Sequence, residues 1–352
     1  MKKVRKTLLI IFCAVIALAA LGILVLICTE YRPKDQEAAG TSLHKTRTLS
    51  VKDSIRILSW NTGYGGLDES VDFFMDGGEM TFPASQAVVN QNIDAISDFL
   101  VDNQSDICLL QEVDLNSSRT KHLDELKLYA EITGLDYSYA PNYRCLFVPF
   151  PLPPLGQMES GIVTMSSCRR QDSSLRVSLP NPFSWPVRIA NLKRCLLVDR
   201  FPLEGSDREL VMINVHLDAY DSGEGRVAQT KALLAFMKEE YEKGNYCVAG
   251  GDFNQLFPDT EEMYPINNPE LWVPGELDTK LLEDGWQYVF DASVPSCRLL
   301  NQPYDPEDEG TQYYVIDGFV VSPNMVVDRV KTVDLEFANS DHNPVEVVVR
   351  LE

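Results

Sequence analysis

The chain closes on Ser340-Asp341-His342-Asn343-Pro344 followed by Val345-Glu346-Val347-Val348-Val349-Arg350-Leu351. The second half is an apolar, β-branched run that reads as a strand. The first half sets an aspartate beside a histidine where loop meets strand, a compact acid–base and metal-binding pair. Histidine is scarce, with only 4 in 352 residues. A second one, His216, ends the strand-like Ile213-Asn214-Val215. Gly250-Gly251-Asp252-Phe253-Asn254 follows a third apolar run, Tyr246 to Ala249. Polar groups gathered at strand ends are the pattern of one active site built from many loops.

The same reading extends outward. Ile55 to Trp60 is a short strand ending in Asn61, and Thr62-Gly63-Tyr64-Gly65-Gly66 turns the chain. Strands are expected over Ile107 to Leu110, Leu210 to Val215, and Tyr314 to Val321. Helices are expected over 85–101, where Val89, Ile93, Ile96 and Leu100 recur at helical spacing, over Leu123 to Ile132, and over Arg226 to Lys243. Strands and helices interleave, so the class is α/β or α+β. Residues 256–312 are rich in Pro, Asn, Asp and Glu and read as long loops. FVPFPLPPLGQM at 147–158 reads as a rigid proline-rich loop packed on the domain. Its sharper reading is a lip that meets lipid through Phe147, Phe150 and Leu152.

Residues 7–27 carry no charge and are almost wholly apolar, enough to cross a hydrocarbon core of about 30 Å. Lys2, Lys3, Arg5 and Lys6 precede them, which keeps the tip cytoplasmic and sends the bulk outside. A cleaved signal peptide is disfavoured, because Val25-Leu26-Ile27 lacks the small residues of a cleavage site. The expected organisation is a cytoplasmic tip and transmembrane anchor over 1–28, a flexible stalk over 29–53, and a catalytic domain over 54–352. The protein is then a single-pass cell-membrane protein with an extracytoplasmic domain, and a monomer is expected.

Net charge is −21, and it becomes roughly −27 beyond Lys52, where 22 basic residues face 49 acidic ones. Such a surface argues against nucleic acid, although bound cations can reverse the field locally. The 8 cysteines include no C-x-x-C pair, so zinc knuckles and redox motifs lack support. Cys108, Cys195 and Cys247 sit in strand-like runs and read as buried small hydrophobes.

Asn61, Glu112, His216, Asp252, Asn254, Asp317 and His342 all fall at strand ends. This oxygen-rich inventory suits a hard cation, Mg²⁺ or Mn²⁺, and not tetrahedral zinc. Hydrolysis of a phosphoester needs an aligned water that loses a proton, neutralisation of the phosphoryl oxygens, and a stabilised leaving oxygen. His342, oriented by a carboxylate, serves as base, Asp252 and Asn254 hold the water, a cation at Glu112 takes phosphoryl charge, and His216 donates to a phosphoryl oxygen. Taken singly, each has a duller reading: a structural histidine, a turn, a strand-end charge. Arg119, Lys193 and Arg194 are equally well solvated surface charges as phosphate contacts, and Tyr220 an ordinary packed tyrosine.

Trp60-Asn61, Gln111-Glu112-Val113-Asp114, Asn214-Val215-His216-Leu217, Gly251-Asp252-Phe253-Asn254, Ile316-Asp317 and Ser340-Asp341-His342-Asn343-Pro344 resemble, in order, the motifs of the endonuclease/exonuclease/phosphatase superfamily. The deoxyribonuclease-like and neutral sphingomyelinase-like branches are nearest, in a membrane-anchored bacterial-type form. The resemblance runs from Ile55 to Leu351. It implies a four-layered α/β sandwich, two packed mixed β-sheets flanked by helices. It also implies roles: Asn61, Glu112 and nearby Asp341 at the metal, Asp252 and Asn254 at the nucleophile, Asp317 orienting His342, and His216 as second histidine. Glu159 falls where some members place a supporting carboxylate, so a contact with the cation or His216 is expected. No Trp-Cys-Asp-Arg segment is present, which disfavours the inositol phosphatase branch. Three functions follow: a membrane-tethered phosphoesterase acting on a lipid headgroup or small phosphoester, an extracytoplasmic nuclease, or a catalytically silent binding module.

Overall fold

The computed structural model describes residues 2–221 and 223–352. Two mixed sheets pack face to face. The first runs Met325–Thr332, Val345–Leu351, Ser54–Asn61, Ile107–Asp114, Gly156–Ser166, Asp136–Val148 and Gly40–Thr41 from edge to edge. Only the pair Ser54–Asn61 and Ile107–Asp114 is parallel in it. The second centres on Cys195–Glu204, Glu209–His216, Tyr246–Asp252 and Asp317–Val321, with Glu209–His216 parallel to Tyr246–Asp252.

Alternation along the strands decides which layer each side chain joins. Ile55, Ile57, Ile107, Leu109, Leu210, Met212, Val248, Phe319 and Val347 form the core between the sheets. Their neighbours point outward. Leu58, Trp60, Cys108 and Leu110 meet the helices Gln86–Asn103 and Glu125–Thr133 through Val89, Ile93, Ile96, Leu100 and Leu126. Val211, Ile213, Val215, Cys247 and Ala249 meet the helix Glu224–Glu242 through Leu233 and Met237. The layers are therefore helix, sheet, sheet, helix. Each fully buried Leu, Ile or Val contributes about 1.5–3 kcal/mol of transfer free energy. The helix Gln86–Asn103 begins where Ser85 Oγ accepts from Val88 N (3.3 Å) and ends at Gln104 in a left-handed conformation.

Polar groups also cross the seam, among them the buried Ser138–Asp199 pair and Asn214. Asn214 Nδ2 donates to the carbonyls of Leu110 (3.0 Å) and Val163 (2.8 Å) in the opposite sheet, and its Oδ1 accepts from Gln111 Nε2 (2.8 Å). Every polar atom of this buried amide is paired, so it fixes how one sheet sits on the other.

The helix Lys2–Cys28 has a mean hydropathy of 3.2 in its most apolar stretch and buries none of it, so it is long and apolar enough to cross a membrane. The segment expected as a flexible stalk is instead docked. Gln36–Ala38 pairs with Leu175–Ser178, Gly40–Thr41 with Asp136–Val148, and Leu49–Ser50 with Cys195–Glu204. Backbone pairing with exposed sheet edges holds it, a contribution that its polar composition hides. The strand expected over Tyr314 to Val321 divides into Tyr313–Tyr314 and Asp317–Val321, which belong to different sheets. Cys108, Cys195 and Cys247 are buried and unbridged, as expected.

Candidate active site

Alternation that builds the inter-sheet core also builds the site. Asn61 continues the row Ile55, Ile57, Ser59; His216 continues Leu210, Met212, Asn214; Asp252 continues Val248, Gly250; and Asp317 continues Val321, Phe319 backwards. Each row carries apolar residues in the middle of the sandwich and ends in a polar residue at the same rim. Glu112 departs from this order. A bulge between Leu110 and Val113 puts Glu112 at φ 58°, out of the alternation. Its Oε1 then lies 3.4 Å from Asn61 Nδ2 and 3.9 Å from His216 Nε2.

Asp252 is the hub. Its Oδ2 lies 3.1 Å from Asn61 Nδ2, 3.3 Å from Asn254 Nδ2, 3.5 Å from His216 Nε2 and 3.9 Å from His342 Nε2. Its Oδ1 accepts from Asn254 N (2.8 Å). Asn254 holds a left-handed φ of 49°, which asparagine tolerates, and Nδ2 also donates to the Leu217 carbonyl (2.9 Å). Gly251, at φ 151°, brings the strand so close to Val215 that an added Cβ would sit 1.9 Å from the Val215 carbonyl oxygen.

His342 is held from behind. Asp317 Oδ2 meets His342 Nδ1 at 2.8 Å, and Ser296 Oγ donates to the same oxygen at 2.8 Å. The Trp60 indole N–H donates to the His342 carbonyl (2.8 Å), and Ser340 Oγ to the Asn61 carbonyl (2.8 Å). His342 Nε2 thus faces inward, 3.9 Å from Asp341 Oδ2 as well as from Asp252.

Electrostatics divides the two histidines. Burial opposes charge on His342, but Asp317, Cys297 and Asp341 outweigh it and raise its pKa well above the ordinary value. Burial lowers that of His216 far below, helped by Arg194 and His342, so His216 is neutral. Burial also pushes the carboxyls of Asp252 and Asp341 up to about 7. The only hydrogen-bond donor to Asp341 among the described side chains is Ser340 Oγ at 3.5 Å. A buried carboxylate with so weak a partner, close to Glu112, favours a cation nearby. Glu112, Asp341 and the Asn61 amide oxygen supply hard oxygen donors, which fit Mg²⁺ or Mn²⁺. As placed, Asn61 Oδ1 accepts from Gly63 N (3.1 Å) while its Nδ2 lies 3.4 Å from Glu112.

Glu159 stands apart. Its carboxylate pairs with Arg144 at 3.5 Å, and the contact with His216 is not formed among the described residues. The strand carrying it points the side chain into a separate cavity that Arg144 and Gln157 also line. The candidate phosphate cations are also engaged. Arg119 binds Asp114 through two nitrogens (2.9 and 2.8 Å) and stacks on Tyr64, Arg194 pairs with Asp218 at 3.0 Å, and Lys193 lies 3.9 Å from Glu30. Tyr220 donates to Asp76 at 2.7 Å. Ser296 and Asp76 were not anticipated. Both lie in loops whose composition carries no periodic signal, and burial moves the Asp76 carboxyl up to about 6.

Comparison with known proteins agrees with this architecture. An endonuclease/exonuclease/phosphatase from Beutenbergia cavernae DSM 12333 superposes with a TM-score of 0.59 at 18% identity, covering 85% of this chain and 72% of that one. An endonuclease/exonuclease/phosphatase family protein from Bacteroides thetaiotaomicron gives 0.55 at 17% identity, covering 86% and 99%. The human Nocturnin catalytic domain, with a bound sulfate anion, gives 0.52 at 14% identity, covering 89% and 97%. A comparison with curated proteins gives no match. The sequence profile of the Endonuclease/Exonuclease/phosphatase family matches residues 58–342, a span that opens on the strand bearing Asn61 and ends on His342. The chain therefore belongs to the Endonuclease/Exonuclease/phosphatase family.

Proposed function

We propose that this protein is a membrane-tethered, divalent-metal-dependent phosphoesterase that hydrolyses a phosphodiester, or a phosphomonoester, by attack of water. One observation carries the reading: a single carboxylate oxygen, Asp252 Oδ2, is surrounded within 3.9 Å by Asn61, Asn254, His216 and His342. Four segments far apart in sequence supply these groups, and a relaxed binding module has no use for them together.

Asp252 and Asn254 hold the attacking water by accepting from it and donating to it. His342 Nε2 takes its proton, and Asp317 stabilises the imidazolium that results. Ser296 fixes Asp317 and so keeps the ring in one orientation. Neutral His216 donates its Nε2–H to a phosphoryl oxygen. Its Nδ1 is buried with no partner among the described residues, which leaves the ring free to take the tautomer this needs. Glu112, Asp341 and Asn61 would hold Mg²⁺ or Mn²⁺, which supplies charge neutralisation at the phosphoryl group.

The Lys2–Cys28 helix supports the tether, and the basic residues at its N-terminal end support an extracytoplasmic catalytic domain. The acidic domain favours a lipid headgroup or small phosphoester over nucleic acid. The full-length protein in detergent micelles with Mg²⁺ tests this against bis(p-nitrophenyl) phosphate, p-nitrophenyl phosphate, sphingomyelin, phosphatidylcholine and plasmid DNA. Hydrolysis of at least one phosphoester, lost in His342→Ala, is expected. Inertness toward all of them contradicts the proposal, and cleavage of DNA alone favours the nuclease reading.

A further inference from the structure

The helix that reads as an anchor does not end in a free linker. Glu30, two residues past Cys28, lies 3.2 Å from Arg188 and 3.9 Å from Lys193. Tyr31 donates its hydroxyl to Glu37 (2.9 Å), and the Arg176 guanidinium lies over its ring. A cavity of about 450 Å³ is lined by Thr29 and Tyr31 from the helix exit and by Arg144, Leu146 and Met158 from the hairpin Asp136–Val148/Gly156–Ser166. The domain is thus fixed against the point where the chain leaves the helix.

Large exposed apolar side chains lie on the two segments that meet that exit. The hairpin tip exposes Leu152 at 87%, Phe150 at 66% and Phe147 at 44%, and the segment beside Arg188 exposes Trp185 and Val187, both at 56%. Isolated exposed hydrophobes need no explanation, but a group of them flanking a membrane helix does. Phe150 also meets a loop that approaches the cleft. Phe150 packs edge-on against Phe74 with ring centroids 5.8 Å apart. Two residues on, Asp76 reaches Tyr220, and its carboxyl senses the charges of Glu112 and His342. The base of the tip is held by Ser118 Oγ, which accepts from Gln157 N at 3.0 Å, next to Arg119 on Tyr64.

We propose that the hairpin tip around Phe147, Phe150 and Leu152, with Trp185 and Val187, dips into the bilayer beside the anchor, so that the cleft opens at headgroup level and takes the phosphodiester of a lipid headgroup. The proposal rests on the phosphoesterase reading for its substrate, and on the helix–patch geometry for its membrane contact. The anchor supplies attachment, while the tip supplies orientation. A bilayer-bound diester then reaches Asp252 without leaving the membrane, and a soluble diester gains nothing from the tip.

The test uses full-length protein in vesicles of phosphatidylcholine and sphingomyelin. In a Cys13→Ser/Cys28→Ser background, Leu152→Cys carries an NBD label. Asp207→Cys, in the exposed turn at the opposite end of the strands, carries the same label as control. Emission from the Leu152 label is expected to shift to the blue and to be quenched by doxyl-labelled phosphatidylcholine, with the Asp207 label unaffected. A Leu152 label that behaves like the control overturns the membrane contact. Activity is read separately with Leu152→Ser/Trp185→Ser, two exposed side chains away from the Phe74 contact. Hydrolysis of the vesicle lipids is expected to fall at least fivefold more than hydrolysis of bis(p-nitrophenyl) phosphate. An equal fall on both, or a wild type that cleaves the soluble diester and neither lipid, overturns the lipid-headgroup assignment. A quenched label on a protein that hydrolyses nothing defeats the phosphoesterase reading and leaves the membrane contact standing.

Discussion

Asp317 Oδ2 lies 2.8 Å from His342 Nδ1, in a site where burial alone would strip the histidine of its proton. The carboxylate reverses that tendency, so it sets both the ring's orientation and its affinity for a proton. Asp317→Asn is expected to lower kcat by about 10²–10³-fold with a much smaller change in KM. A base works only when neutral, so the wild-type rate should rise with pH above the ordinary histidine range. The acidic limb should move to lower pH in Asp317→Asn, because the charge that raised the His342 pKa is gone. An unmoved limb would show that His342 is not the titrating group. Ser296→Ala removes the hydrogen bond to Asp317 and the acceptor for the Ile316 and Asp317 N–H groups, and should cost about fivefold or more in kcat.

Asn214 ties the sheets together through three hydrogen bonds. Asn214→Leu has similar volume but removes all three of these buried hydrogen bonds. Urea unfolding should show a loss of about 3 kcal/mol. A loss below about 1 kcal/mol would mean that apolar packing alone fixes the sheets.

Gly251 has no room for a methyl group, since a Cβ there meets the Val215 carbonyl oxygen at 1.9 Å. Gly251→Ala should destabilise the fold by about 3 kcal/mol or more and displace Asp252 with it. Thermal unfolding and activity should fall together.

Much of this was legible in the sequence, for a physical reason. Period-two alternation puts Asn61, His216, Asp252 and Asp317 on the same face as the inter-sheet apolar residues of their strands and at one rim, so strand ends could be read as site positions. The helices over 85–101 and Arg226 to Lys243 announced themselves by apolar spacing, and they appear as Gln86–Asn103 and Glu224–Glu242. What stayed hidden depends on long-range contact. The docking of residues 36–50 relies on backbone edges, which have no side-chain signature. Ser296 and Asp76 reach the site from loops. Glu159 lies on a strand near the site in sequence order, yet the strand turns its carboxylate to Arg144.

Glu240 makes stability depend on pH. Burial would raise its pKa, but hydrogen bonds from Arg200, Lys243 and Asn245 prevail and lower it to about 2. A depressed carboxyl stabilises the fold fully above its unfolded pKa, about 4.3, and loses that contribution as pH falls through the folded value. Glu240→Gln should therefore be less stable at pH 7 by about 1–2 kcal/mol, since the partly exposed partners are screened by solvent, with the gap narrowing between pH 4.3 and 2. Equal denaturation midpoints at pH 7 would contradict this.

Stripping the full-length protein with EDTA and titrating Mg²⁺ back, with bis(p-nitrophenyl) phosphate as substrate, tests the site most directly. Wild-type activity is expected to vanish and then return saturably, while His342→Ala stays at least about 10²-fold lower at every Mg²⁺ concentration. Hydrolysis that persists without divalent ions, or survives undiminished in His342→Ala, would contradict the proposed mechanism.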